Sequence, residues 1–363
     1  MKNKKLEATF NIVLALASPL LLLALLEGIA FVWERNQANG TYAWELVASR
    51  RLDWIAYPEP EPGYTLMRPG SHYVWQGIPV AINSSGLRSP ETPYGKPEGT
   101  FRILNLGDSV AMGWGVRQEE TYGQVLAGAL NERSENGLRY EVINAGVPGW
   151  NLENVLAYLK VEGLRYQPDL ILLEVTIVND IFGKSGLLRQ NQSPVIEWLR
   201  KNTYSWPFLS IQLQWMQARS EGKERIDVIN PPRNAASYFP QDPGDERWDQ
   251  LWSWIEEMAD LAEVNGAEFA ITLFPMEYQV LDENYSTLAQ SVLTEKALSA
   301  GLPVLDLLPA YRAACQEKPG TPCQLEDRYL FADVWMHPSA LGHQVAAGEL
   351  EKFLSESVAG LNQ

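Results

Sequence analysis

The sequence predicts an α/β domain built on a parallel sheet covered on both faces, with one apolar helix ahead of it. Three observations carry this reading. From Phe101 onward, short apolar runs alternate with amphipathic stretches. The N-terminus carries a long apolar segment with unequal charge on its two sides. The composition is 46% hydrophobic, 10% aromatic and 20% charged over 363 residues, which suits a folded chain with a buried core rather than a disordered one.

Met1-Lys2-Asn3-Lys4-Lys5 precedes an apolar run from Phe10 to Leu26, which resumes after Glu27 and Gly28 as far as Trp33. About 20 apolar residues cross the hydrocarbon core of a bilayer. Lysines ahead of such a run favour a cytoplasmic N-terminus, with the rest of the chain outside. Residues 1–9 are therefore expected in the cytoplasm and 10–33 as a single-pass transmembrane signal anchor. A cleaved signal peptide competes with this. Ala15-Leu16-Ala17 has the small-x-small form, but it falls too early in the run for an ordinary cleavage site. Glu27 is expected near the outer interface.

Residues 34–100 are rich in Pro, Tyr, Trp and Gly, with strand-like pieces at His72–Trp75 and Ile78–Ile82. They read as a stalk that passes into a small β-rich packing segment. Residues 101–363 form the α/β domain. Strands are expected at 102–106, 140–144, 170–175, 268–273 and 303–306. Helices are expected near 119–134, 151–165, 246–265, 284–300 and 338–357. One stretch, about 182–245, breaks the rhythm with Trp198, Tyr204, Trp206, Phe208 and Trp215. It reads either as a lid or substrate wall, or as a peripheral helix packing its aromatics inward.

A net charge of −16 repels phosphate backbones, so nucleic acid is excluded as a partner. The only cysteines, Cys315 and Cys323, stand too far apart for a CxxC motif and lack neighbours for a zinc site. In an oxidising compartment a local disulfide is expected. Neither a metal nor a cofactor is called for.

Gly107-Asp108-Ser109 follows the first strand of the α/β region, where the carboxyl edge of an open sheet gathers reactive groups. A serine nucleophile needs a base, most often histidine. The chain has three: His72 in the β-rich segment, His343 inside the last helix, and His337 in the loop entering that helix. His337 is the candidate. Two turns follow the next strands: Asn144–Asn151, with glycines able to expose a backbone N–H, and Ile177–Asp180, where Asn179 offers an amide or simply caps a turn. Gly107–Ala111 also half-matches the G-x-S-x-G elbow, but that elbow normally follows several strands.

Together these four segments resemble the SGNH hydrolases, also called GDSL-type esterases and lipases, from about residue 101 to the C-terminus apart from 182–245. The resemblance implies a flavodoxin-like three-layer α/β/α sandwich. It also implies Ser109 as nucleophile and His337 as base, with Ser109, Gly149 and Asn179 forming the oxyanion hole. Two positions depart from the pattern. Ile177 stands where the family usually has glycine, and Val334 stands where it has the aspartate three residues before the histidine. The acid is then Asp333, four residues before His337, or the enzyme is a Ser-His dyad assisted by Asp306, Asp327 or a carbonyl.

The expected protein is a membrane-anchored, extracytoplasmic serine ester hydrolase acting through an acyl-enzyme on acylated carbohydrate or lipid-type esters. The alternatives are an envelope glycan O-acyltransferase and a non-catalytic envelope binding module. The sequence does not indicate an oligomeric state.

Overall fold

A computed structural model describes residues 2–36, 57–58, 63–75, 78–134, 137–180, 193–220, 236, 238–324, 327–333, 336–358 and 361. Its contacts group into two units, one of residues 1–53 and 191–231 and the other of 54–190 and 232–363.

The second unit opens with two short antiparallel pairs, β1 (Tyr57–Pro58) with β2 (Thr65–Leu66) and β3 (His72–Trp75) with β4 (Ile78–Ala81). The α/β alternation follows: β5 (Thr100–Gly107), α2 (Ser109–Met112), α3 (Tyr122–Arg133), β6 (Arg139–Gly146), α4 (Leu152–Val161), β7 (Leu170–Thr176) and α5 (Ile177–Asp180). Helices α6 (Pro194–Asn202) and α7 (Ser205–Ser220) belong to the first unit. The second then continues with α8 (Glu246–Val264), β8 (Glu268–Phe274), α9 (Glu277–Leu281), α10 (Leu288–Ser299), β9 (Val304–Asp306), α11 (Leu308–Gln316) and α12 (Ala340–Ser357).

Strands β5 to β9 form one parallel sheet in the order β6-β5-β7-β8-β9. Every residue of β7 is buried, and so is every residue of β5 after Thr100. This is what a sheet covered on both faces requires of its central strands. The helices pack as two groups, α3 with α12 and α11, and α4 with α8 and α10. The result is a three-layer α/β/α arrangement. Side-chain caps start the long helices: Asn151 accepts the Asn154 N–H, Asp245 that of Arg247, and Ser339 that of Gly342. Helices α9 and α11 go beyond the elements expected from sequence.

The order places β5 between β6 and β7, so the chain leaves β5 to one side and returns on the other. Ligand sites in open α/β sheets form at this reversal, outside the carboxyl ends of the strands. Residues 63–75 and 78–99 pack against the α/β sheet domain. The Trp150 indole donates to the Thr65 carbonyl at 2.8 Å, and Tyr64 meets the rings of Trp150 and Tyr158 edge-on. Of the expected stalk and packing segment, residues 37–56, 59–62 and 76–77 lie outside the described residues, as do 182–192, 221–235 and 237 of the expected insertion.

In the first unit, α1 (Lys2–Asn36) is a single helix that contains Pro19. Among the described residues no helix is long and apolar enough to cross a membrane. Glu27 accepts the N–H groups of Tyr204 (2.6 Å) and Ser205 (3.1 Å) as well as the Ser205 hydroxyl, and Phe31 meets the Tyr204 ring edge-on at 5.2 Å. A carboxylate at the start of α7 satisfies N–H groups that the helix leaves free, and it suits the positive end of the helix dipole.

Candidate active site

Ser109 is the first residue of α2, the tight turn after β5, and only 5% of its surface is exposed. Asp108 caps this turn, its Oδ1 accepting the Val110 N–H at 2.7 Å. Asn144 of β6 donates its side-chain amide to the Ala111 carbonyl at 2.8 Å. Two paired glycines, Gly107 and Gly146, let the turn settle onto the strand ends. A Cβ on Gly146 would lie 2.3 Å from the Met112 nitrogen, and one on Gly107 would lie 2.2 Å from Glu174 Oε2. Neither site has room for a side chain.

His337 and Asp333 come from the loop before α12. Phe331 and Pro338 pair as an isolated bridge, and the Ala332 N–H donates to the His337 carbonyl at 2.7 Å. The loop is thus pinched at its base, which brings residue 333 alongside residue 337. Asp333 Oδ1 accepts the N–H groups of Met336 (3.1 Å) and His337 (3.2 Å), while Oδ2 meets His337 Nδ1. On the other side of the ring, Nε2 lies 2.9 Å from Ser109 Oγ. With the proton on Nδ1, held by the carboxylate, Nε2 presents a lone pair to the serine hydroxyl. The Trp114 ring stacks on the imidazole at 5.5 Å between centroids.

The structure therefore brings together Ser109, His337 and Asp333. The other two acids are engaged elsewhere. Asp306 accepts the Leu308 N–H at 3.0 Å and lines a broad surface groove with Thr287, Gln290 and Arg312, while Asp327 pairs with Lys318. Gly149 sits in the turn after β6 with φ +79°, and Asn179 is in α5 after β7. Its side chain, like Val334 and Trp335, lies outside the described residues. The three expected oxyanion donors thus follow three adjacent strands, with the strand leading to Ser109 in the centre. Among the described residues the Ser109 N–H meets no acceptor.

A family model for GDSL-like lipases and acylhydrolases matches residues 106–345, about two-thirds of the chain. The chain belongs to this family. As a GDSL-like acylhydrolase it is a serine enzyme acting on carboxylic ester bonds. Solved structures similar to this acylhydrolase include an acetyl xylan esterase at 15% identity (69% of this chain, 98% of the other, TM-score 0.41). An acetylxylan esterase from Geobacillus stearothermophilus also matches at 15% identity (70% and 94%, TM-score 0.42). A two-domain esterase active on acetylated mannans matches at 14% (73% and 50%, TM-score 0.43), so this chain spans half of that protein. No curated protein sequence matches it.

Around Ser109, His337 and Asp333 lie buried ionisable groups that were not singled out from the sequence. Glu174 of β7 is fully enclosed. Burial, then the charge of Asp108, pushes its carboxyl well above the usual range. Asp180 is raised likewise, by burial first and then by Asp108 and Glu174. The Arg88 guanidinium donates to the carbonyls of Gly113 (2.6 Å) and Val116 (2.7 Å), bracing the loop after α2, and burial lowers it to about 10. One signal was available for Glu174: it is a lone acid in the run Leu170-Ile171-Leu172-Leu173-Glu174-Val175. A charge inside a fully buried strand has to have a partner.

The remaining site candidates play other parts. His343 is buried in α12, where its Nδ1 accepts the Tyr122 N–H at 3.2 Å. His72 lies in β3. Cys315 and Cys323 are joined as a disulfide that closes the turn after α11. Among the described residues no group of three potential ligands could hold a metal ion.

Proposed function

We propose that this acylhydrolase is a membrane-anchored, extracytoplasmic enzyme that works through an acyl-enzyme on Ser109, with acylated carbohydrate or lipid-type esters as substrates. The observation that carries the mechanism is the hydrogen-bonded line from Ser109 Oγ through His337 to Asp333. Ser109 Oγ attacks the ester carbonyl carbon as His337 Nε2 takes the hydroxyl proton. The intermediate collapses, and the leaving alcohol takes that proton from His337. Water then gives a proton to His337 and attacks the acyl-serine. Ser109 leaves with the proton restored, and the carboxylic acid is released. Asp333 holds the ring in orientation and stabilises the imidazolium. The N–H groups of Ser109 and Gly149 and the amide of Asn179 receive the oxyanion, each worth about 3 kcal/mol.

The anchoring reading is supported by the lysines ahead of Phe10–Leu26 and by the unbroken helix α1. The disulfide suits an oxidising compartment.

For the chemistry, full-length detergent-solubilised protein is assayed on p-nitrophenyl acetate and butyrate. Ser109→Ala should abolish turnover, and full activity in that variant would sink the assignment. A panel of acetylated glycans against short- and long-chain acyl esters assigns the substrate class. Transfer of the acyl group to added sugar in preference to water would make the enzyme a transferase. For location, alkaline phosphatase fused to the C-terminus should be active, because that reporter folds only outside the cytoplasm. An inactive fusion would reject the topology.

A further inference from the structure

We propose that Glu174 is a positioning residue that aims the Ser109 N–H at the developing oxyanion. The inference rests on Ser109 being the nucleophile. It starts from an accounting of backbone donors in the turn carrying that serine, since a buried N–H must find an acceptor. The Asp108 N–H donates to Glu174 Oε2 at 3.1 Å, and the Ala111 N–H also bonds the Glu174 carboxyl. The Val110 N–H is taken by Asp108 Oδ1, and the Met112 N–H by the Asp108 carbonyl at 3.0 Å. Every N–H from 108 to 112 is thus spoken for except that of Ser109, which meets no acceptor among the described residues.

Glu174 holds the turn on both sides of that one free donor. It reaches there from β7, the strand beside β5, through the space where residue 107 would carry a side chain. Its own place is fixed by the Thr176 hydroxyl on Oε1. Rotation of the turn by a few tenths of an ångström would misdirect the Ser109 N–H while leaving the Ser109–His337 pair within reach. Loss of this hold should therefore appear in the chemical step, where the oxyanion forms, and not in substrate binding. Burial and the charge of Asp108 raise the Glu174 carboxyl, which lessens the negative charge it would hold beside the turn.

The test compares Glu174→Ala, Glu174→Gln and Ser109→Ala in full-length protein on p-nitrophenyl acetate, with melting temperatures measured in parallel. Glu174→Gln keeps an acceptor oxygen for the two backbone donors and can donate its amide to Thr176. It should stay within about threefold of the wild-type kcat. Glu174→Ala should lose about tenfold or more in kcat with KM within about twofold. Its burst-phase acylation rate should fall by the same factor.

Wild-type kcat in Glu174→Ala, with Ser109→Ala dead, would overturn this inference and leave the nucleophile assignment intact. A loss in KM alone, or a Glu174→Gln variant that melts like wild type yet loses about tenfold or more in kcat, would also overturn it. Full activity in Ser109→Ala would remove the nucleophile assignment and this inference with it. Should Glu174→Ala fail to fold, Glu174→Gln and Glu174→Leu decide between acceptor and bulk. A folded Glu174→Leu with wild-type kcat would refute the role.

Discussion

The Asp333 carboxylate meets Nδ1 of His337 across a loop of only three intervening residues, and that same carboxylate accepts two N–H groups of the loop itself. It therefore does two jobs, shaping the loop and orienting the ring.

Removing it should cost both. Asp333→Ala is expected to lower kcat by about two to four orders of magnitude, the range set by loss of ring orientation in serine triads. Asp333→Asn keeps an oxygen for the two loop N–H groups but loses the acceptor for Nδ1, so its kcat should fall by a similar factor while the loop is preserved. Steady-state kinetics on p-nitrophenyl acetate check this. A loss below about tenfold would mean that the Ser109–His337 pair works as a dyad.

Gly107 is required for space, since its φ is not among the positive values in the chain. A Cβ there would lie 2.2 Å from Glu174 Oε2, 2.8 Å from the Ala111 Cβ and 2.9 Å from the Glu174 Cβ. Gly107→Ala is expected to destabilise the protein by about 1–3 kcal/mol through overpacking and to displace the serine turn. Thermal unfolding and esterase assays would record both, and a variant unchanged in both would refute the steric argument.

The Cys315–Cys323 link closes a loop eight residues apart in sequence. On the chain-entropy account a loop this short contributes about 2–3 kcal/mol by restricting the unfolded chain. The double Cys→Ser variant should melt several degrees lower, about 4–8 °C, by the usual conversion for domains of this size. Non-reducing mass spectrometry of protein from an oxidising compartment should show the intact bond, and two free thiols would contradict it.

His343 gives an acid-side signature. Burial lowers it to about 3 from 6.5, so between those values the unfolded chain binds a proton that the native state refuses. Stability should then fall as pH drops from about 6.5 towards 3, with a slope approaching about 1.4 kcal/mol per pH unit from this group. Glu174 and Asp180 have the opposite sign: their raised values favour the native state at low pH and withdraw that favour as pH rises. Urea unfolding of wild type against His343→Gln at several pH values isolates the histidine. Parallel curves would rule it out.

Much of this arrangement was legible in the sequence, for identifiable reasons. The five sheet strands showed as apolar runs because both faces of the sheet are covered, and Ser109 and His337 stood out because few histidines compete. The role of the Asp333 spacing was not legible. It depends on the Phe331–Pro338 bridge, which forms only when the loop closes. Beyond the strand-like pieces at 72–75 and 78–82, the burial of Met67, Leu87 and Arg88 falls on irregular backbone, which carries no period to show it. The grouping of 191–231 with the N-terminal helix rests on contacts such as Glu27–Ser205, 178 positions apart. Local propensity carries no trace of a pairing at that distance.

Ser109 and His337, hydrogen-bonded in the finished site, are 228 residues apart along the chain. The proposed nucleophile is therefore synthesised 228 residues before its proposed base. Contacts of such long sequence separation form late in folding, because the loop they close must first be ordered. On the proposed mechanism, a nascent chain carries Ser109 before His337 exists to activate it. For the same reason a single proteolytic cut in the loop before α12, followed by loss of the C-terminal piece, would switch the mature enzyme off without altering its nucleophile.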